Sequence, residues 1–289
     1  MTDRASLTAQ YMALFRALES SRRPDFRWFH DPLAPIFLQG GRKWLYRIGR
    51  AGLGRRMVER LLDGSAPGAR AAGTARTKWI DEEVSAALES ATQLVLLGAG
   101  FDTRAYRLAA ALRTNVFELD RAETSLVKQS ALTRIMGALP SNVRFVTIDF
   151  NRESVGQVLV AAGFDTKQAA CFIWEGVTNY LTADAVDSTL REIRRIASEG
   201  CLLFTYVDRG VLDHPDRFYG AVKLMARLAS YDEPWTFGLD PAEAGEYLAA
   251  RGFRLVKDVS VAEVWRQAGR PAEESRGYEF YRVVSAQIQ

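Results

Sequence analysis

Leu94 to Leu97 are four consecutive apolar residues, and Gly98-Ala-Gly100 follows them without a break. An apolar run of this kind suits a central parallel strand that is covered on both faces. A glycine turn directly after it lets the backbone bend sharply and a ligand approach closely. Residues Asp102 to Leu112 can then open a helix, with Asp102 as its N-cap and free N–H groups pointing back at the turn. This is the pattern of a nucleotide-cofactor cradle. A strand-to-helix turn with no ligand would carry the same glycines, so the flanking segments have to decide.

About twenty residues on, Asn115-Val-Phe-Glu-Leu-Asp120 places Glu118 and Asp120 on one side of a second strand by its two-residue period. An acid at that strand end is how doubly wound folds hold a ribose. A nicotinamide dehydrogenase and a methyltransferase would both show this spacing. Thr103 stands where a dinucleotide fingerprint needs its third glycine, which weakens a pyrophosphate reading. A third strand, Val143 to Phe150, ends at Asp149, and a fourth, beginning at Ala170, ends at Glu175-Gly176. Three successive strands therefore finish in carboxylates at the sheet edge that lines the ligand crevice of an open α/β sheet. An adenine amino group, a ribose and an α-ammonium would suit them.

Taken together, Gly98-Ala-Gly-Phe-Asp-Thr-Arg104, Glu118-Leu-Asp120, Asp149-Phe150 and Trp174-Glu-Gly-Val-Thr-Asn-Tyr-Leu181 resemble the leucine carboxyl methyltransferase family. The likeness is strongest to the bacterial branch that includes polyketide O-methyltransferases. His30-Asp-Pro-Leu-Ala34, Arg76-Thr-Lys-Trp-Ile-Asp81, Glu233 to Pro241 and Tyr278-Glu-Phe-Tyr-Arg282 resemble further segments of that branch, in the same order, so the likeness spans nearly the whole chain. The resemblance implies a doubly wound, Rossmann-like class I methyltransferase fold: a mostly parallel seven-stranded sheet whose last strand is antiparallel. It implies S-adenosyl-L-methionine as methyl donor and an oxygen, commonly a carboxylate, as acceptor.

Carried over position by position, the resemblance assigns Gly98, Ala99 and Gly100, with Asp102 beside them, to the methionine end of the cofactor. Asp120 goes to the ribose with Glu118 next to it, and Asp149 to the adenine amino group with Phe150 against the ring. Arg76 stands where the family places the arginine that binds the cofactor carboxylate. Glu175 would face the methionine end, with Tyr180 flanking it. The chemistry agrees, because a guanidinium forks onto a carboxylate and an aromatic face tolerates a sulfonium. Arg104 is expected to brace the glycine turn.

Organisation follows from patterning. Residues 5 to 20 carry a helical apolar stripe of Leu7, Tyr11, Leu14, Phe15 and Leu18, and a second helical region covers about 43 to 62. The small-residue stretch Asp63 to Thr74 reads as a loop dividing a helical cap, 1–74, from the cofactor-binding domain, 75–289. Strands and helices alternate from 75 to 207. An insertion at about 208–240 has the length of a lid, and two final strands begin near Gly252 and Tyr278. An ending of that kind is a class I methyltransferase feature and favours methyl transfer over nicotinamide chemistry.

No apolar run is long enough to span a membrane, and the first residues lack a signal-peptide pattern. Cys171 and Cys201 lie in apolar strand-like runs without a Cys-x-x-Cys spacing. They argue for a reducing, cytoplasmic setting and give no reason to expect a metal. The net charge of +3 is mild, yet Arg22 to Arg60 holds ten Lys or Arg against three acids, interleaved with Trp28, Phe29, Trp44 and Tyr46. Solvated faces of cap helices explain this most simply. Recruitment of an anionic substrate, a carrier protein, nucleic acid or a membrane surface is the alternative.

Transfer from a sulfonium is an in-line displacement, so an ionised carboxylate needs orientation rather than a base. A phenol would need one, and His30, His214 or Asp208 are the groups to try, each with a structural role as the simpler reading. Substrate-side candidates are Tyr11, Trp28, Tyr206, Arg209, Trp235, Tyr278 and Arg282. The expected partner is a small natural-product-like carboxylic acid or phenol, free or carrier-bound, rather than nucleic acid. A cofactor-binding protein that has lost transfer or does other chemistry, and a nicotinamide oxidoreductase, are the competing readings.

Overall fold

The computed structural model of the protein describes residues 7–50, 52–150, 152–269 and 278–289. The first six residues, and the 270–277 part of the loop between the last two strands, lie outside them. Before the first strand come four helices, α1 (Leu7–Ser20), α2 (Gly40–Gly49), α3 (Gly52–Ser65) and α4 (Ala69–Ala87). Then follow β1 (Gln93–Leu97), α5 (Arg104–Arg107), β2 (Asn115–Asp120), α6 (Ala122–Met136), β3 (Val143–Thr147), α7 (Val155–Ala161), β4 (Ala170–Trp174), α8 (Ala183–Ile196) and β5 (Gly200–Val207). The chain closes with α9 (Gly210–Asp213), α10 (Ala221–Ser230), α11 (Ala244–Ala249), β6 (Phe253–Ser260), α12 (Val261–Gln267) and β7 (Tyr281–Ile288).

The seven strands form one sheet in the order β3-β2-β1-β4-β5-β7-β6. The first five pair in parallel, and β7 runs antiparallel to both β5 and β6. This is the Rossmann-like class I arrangement with its last strand antiparallel. Every residue of β1 and β4 is buried, as expected of parallel strands covered on two faces. Two apolar clusters do the covering. One joins the sheet to α1, α4 and α12, and the other packs α7, α8 and α11 on the opposite face. Gly200 opens β5 at φ +133°, where a Cβ would lie 1.9 Å from the Ala170 carbonyl oxygen, so only glycine lets β5 close on β4 there.

Two expectations need correcting. The stretch 63–74 is largely helical, because α3 runs to Ser65 and α4 starts at Ala69. Its small residues serve close packing instead of a linker: a Cβ at Gly73 would meet the Met12 Cε at 2.7 Å. The helix expected over Asp102 to Leu112 shrinks to the single turn α5, because Leu108 turns extended at ψ 124°. The region 43–62 resolves into α2 and α3.

Candidate cofactor and substrate chamber

The carboxyl end of β1 meets that of β2 through a compact hydrogen-bond set. The Gly98 and Ala99 amides both donate to the Leu119 carbonyl at 2.9 Å, and the Gly100 amide donates to Asp120 Oδ2 at 2.5 Å. Both glycines have positive φ, and a Cβ at Gly98 would strike Val177 Cγ2 at 2.4 Å. Next to this turn lies a network of buried charges. Arg76, on α4, donates from Nε to Glu175 Oε1 at 2.6 Å and from Nη1 to the Tyr281 hydroxyl at 2.6 Å. Arg104 donates to Glu175 Oε2 at 2.6 Å, to Asp81 Oδ1 at 2.7 Å and to Asp102. It thus braces the turn against the end of β4 and the body of α4.

Burial pushes the Glu175 carboxyl up, but the Arg104 and Arg76 guanidiniums outweigh it and hold it below the ordinary range. Asp102, equally buried, is drawn down to about 2, chiefly by Arg104. The cap is locked to the same turn. Asp31 accepts from Arg16 Nε at 2.8 Å and from the Thr103 hydroxyl at 2.7 Å, while Arg16 Nη2 donates to the Phe101 carbonyl.

One cavity of about 600 Å³ runs along this edge. Its wall brings together Arg76, Gly98, Ala99, Gly100, Asp102, Asp120, Asp149, Phe150, Glu175 and Tyr180, all anticipated from sequence. Glu118 is the exception and a correction. It sits one pleat below Asp120, 2% exposed, with Oε2 at 2.7 Å from Lys128 Nζ on α6. The two-residue period was right, but a step of about 6.6 Å along a strand takes the side chain under α6 and away from the crevice. Burial raises its carboxyl above the ordinary range.

Beyond the glycine turn the cavity widens between cap and lid. Tyr11, Met12 and Phe15 of α1, Leu62 of α3, and Leu224 and Leu228 of α10 give it an apolar wall. Trp235 and Tyr278 line it as expected. The Tyr278 hydroxyl is buried with no hydrogen-bond partner among the described residues, and burial raises its pKa well above that of an ordinary phenol. Tyr180 is likewise pushed up to about 12, first by burial.

The remaining substrate-side expectations do not reach the cavity. Tyr206 is fully buried and donates to Asp258 Oδ2 at 2.6 Å, while Arg282 donates to Asp258 Oδ1 at 2.7 Å. These two face each other across the β5–β7 pair and belong to the sheet face opposite the cavity. The adjacent parity gives the residues on the cavity's side of the sheet, of which Tyr281 lines the cavity. Thr205 accepts from the Gly176 amide at 2.8 Å, and Tyr281 holds Arg76. Alternation along β7 could have exchanged Arg282 for Tyr281 in advance.

Arg209 points to the Gly238 carbonyl in the lid, and Trp28 packs edge-on against Trp265 with ring centroids 4.9 Å apart. Neither lines the cavity. Of the three groups considered as a base, Asp208 accepts from the Gly210 amide at 2.8 Å, His30 is exposed, and neither these two nor His214 reaches the cavity. Arg16, Arg121, Thr124, Arg227 and Tyr231 line it without having been singled out. Arg121 and Tyr231 stand at the ends of α6 and α10, and Arg16, Thr124 and Arg227 are polar positions within helices that an apolar stripe does not mark.

The donor set fits S-adenosyl-L-methionine. The positive-φ glycines leave backbone open at the turn: a Cβ at Gly100 would have only the Gly98 carbonyl near it, at 3.8 Å. Acids stand at the β2 and β3 ends where ribose and adenine need acceptors. Arg76 spends Nε and Nη1 on the protein, and its Nη2 lies 3.6 Å from the point where a Cβ would stand at Gly176, on the cavity wall.

The family model for leucine carboxyl methyltransferase matches residues 9–194. A protein of Mycobacterium sp. (strain KMS), named as an S-adenosyl-L-methionine-dependent methyltransferase, is 30% identical over 294 residues, covering 93% of this chain and 90% of that one. A Frankia alni protein named in the same way is 33% identical over 215 residues, covering 74% of this chain and 71% of its own. The fold matches a methyltransferase structure from Thermobifida fusca YX with a TM-score of 0.60 at 16% identity, covering 99% of this chain and 96% of the other. Glycine cradle, acid-tipped strands and full-length relatives agree: the chain belongs to the leucine carboxyl methyltransferase family of S-adenosyl-L-methionine-dependent methyltransferases.

Proposed function

We propose that the protein methylates an oxygen, specifically the carboxylate of a small and largely apolar acid. The observation that carries this reading is the continuity of one cavity from the Asp149–Phe150 end, past the glycine turn, into an apolar chamber between cap and lid. A volume of about 600 Å³ falls within the range of small-molecule sites. In this reading residues 1–74 act as the cap over the substrate end, 75–289 carry the cofactor, and 208–240 form the lid.

S-adenosyl-L-methionine, when bound, supplies a methyl group on a positively charged sulfur. The chain's own residues bind and orient. Arg76 would donate from its remaining Nη2 to the cofactor carboxylate, Asp120 would accept from the ribose, Asp149 would accept from the adenine amino group, and Phe150 would cover the ring. Gly98, Ala99, Gly100 and Asp102 shape the turn around the methionine portion. Glu175 keeps both oxygens on arginines and so sets the position of Arg76, and Tyr180 supplies an aromatic wall.

A carboxylate acceptor is favoured over a phenol because no imidazole lines the cavity among the described residues. Of the lining tyrosines, Tyr180 and Tyr278 hold their protons firmly through burial, whereas Tyr11 is lowered against burial by the Tyr231 hydrogen bond and by Arg227 and Arg42; Glu175 is committed to two guanidiniums. An acid arrives ionised and needs only alignment, which can supply on the order of 7–11 kcal/mol.

The test is transfer of labelled methyl from the cofactor to a panel of apolar carboxylic acids and phenols. Label recovered in an alkali-labile ester supports the reading. Transfer to phenols alone would refute the carboxylate assignment.

A further inference from the structure

We propose that α2 and α3 form a docking surface for an anionic lipid bilayer. The two helices expose Trp44, Ile48, Leu53, Met57 and Leu61, with Leu53 80% and Trp44 63% accessible. The spacing is regular: Trp44 and Ile48 are four apart on α2, and Leu53, Met57 and Leu61 are four apart on α3, so each helix carries an outward apolar row. A basic row lies one position beside it, with Lys43 and Arg47 on α2 and Arg56 and Arg60 on α3; Arg50 adds a fifth exposed cation just after α2.

No acid is exposed on either helix. Glu59 and Asp63 are partly buried and paired with Arg22 and Arg70. The cations divide by role. Arg42 donates to Gln10 and lies over the Tyr11 ring, and Arg55 donates to the Leu18 and Ser21 carbonyls, so these two fasten the pair to α1. The five exposed cations make no ion pair with a described residue.

Five bulky apolar side chains left in water need a cover, and the charge around them selects it. A second copy of the chain meeting this face isologously would set arginines against arginines. A protein interface mixes donors and acceptors, whereas this face offers alkyl groups, one indole and cations, with no exposed acceptor apart from Ser65 at the end of α3. Phosphates above hydrocarbon match that set: basic residues beside Trp and Leu are the signature of a helix lying in a membrane interface. Arg47 stacked on the Trp44 ring at 5.0 Å places cation and indole at one level, where headgroups and interfacial tryptophans meet. The end of α3 also contributes Leu62, Ser65 and Ala66 to the chamber wall, so a bilayer on the outer face of α3 lies one helix away from the substrate space. The proposal stands independently of the methyl acceptor.

The experiment is co-sedimentation of the full chain with vesicles of phosphatidylcholine alone and of an equal mixture with phosphatidylglycerol, at low and high salt. The wild type is compared with Arg56→Glu/Arg60→Glu and with Leu53→Ser/Leu61→Ser. All four positions are exposed and lie outside the cavity, and unchanged thermal unfolding and S-adenosylhomocysteine affinity show that the variants fold. Binding to the mixed vesicles only, weakened by salt, is expected. The charge reversal should lower the partition coefficient on the order of twenty- to a hundredfold, and the serine pair at least about tenfold. The proposal is overturned by no binding to mixed vesicles at low salt or by undiminished binding of the charge-reversed variant. It is also overturned by capture on an acidic polypeptide without any on vesicles, or by wild-type self-association that the serine pair abolishes.

Discussion

At the scale of single residues the site depends on Arg104. Its guanidinium meets Glu175, Asp102 and Asp81, and removing one partner of a buried ion pair leaves uncompensated charge. Arg104→Ala is therefore expected to destabilise the fold by about 3–5 kcal/mol in denaturant titration. Arg104→Lys should recover little, since one ammonium cannot span three carboxylates. The same pairs set an acid limit. Asp102 titrates at about 2 in the folded chain, and Asp31 and Glu175 are lowered as well, in each case because guanidiniums outweigh burial. An unfolded carboxyl takes up its proton near ~4, so the unfolded chain binds protons first as pH falls. The stability these groups contribute is complete above about 4 and is lost toward about 2. Glu118 and Asp120, raised by burial, act in the opposite direction and only above the ordinary carboxyl range. Unfolding free energies measured across the acid window should fall in the wild type and fall less in Arg104→Ala. For the ligand, Arg76→Ala and Asp120→Ala should each weaken cofactor binding about ten- to a hundredfold, and unchanged titration curves for both would remove these roles. Tyr278→Phe deletes a buried hydroxyl that has no partner among the described residues, so stability in denaturant titration should be unchanged or slightly raised. A marked loss of stability would mean that the hydroxyl does have a partner.

At the scale of elements, Gly98→Ala asks the most of the β1 turn. The position has φ +71° and a Cβ contact of 2.4 Å to Val177, so a cost of about 1–3 kcal/mol together with weaker cofactor binding is expected. A calorimetric scan showing no loss would mean that the turn relaxes freely. The strands were legible in sequence because a buried parallel strand is written as an apolar run, as in Leu94 to Leu97 and Cys171 to Trp174. The acid tips were legible because each ends such a run. Depth along a strand and facing across the β5–β7 pair were not: Glu118 lies under α6, and Tyr206 with Arg282 pairs to Asp258 on the far face. The helix after the glycine turn was over-read because Asp102 and Thr103 suit an N-terminus, while nothing in Arg104 to Leu112 marks the stop at Leu108. The loop expected at 63–74 is largely helix for a related reason, since small residues that let helices touch look in sequence like those that make a loop.

At the scale of the molecule, one apolar cluster runs from α1 through α4 into the sheet, so the cap is part of the core and the chamber is framed by elements that unfold together. A ligand held in that frame should stabilise the whole chain. S-adenosylhomocysteine at about a hundredfold over its Kd should add about 2.7 kcal/mol, visible as a raised melting temperature, whereas NAD should add nothing. What the chamber is for is decided most directly by following labelled methyl from S-adenosyl-L-methionine into apolar carboxylic acids and testing the product with mild alkali. The account predicts an acid-dependent product whose label is released by alkali, as from a methyl ester. Cofactor binding accompanied only by alkali-stable product, or by no transfer to any acid, would contradict it.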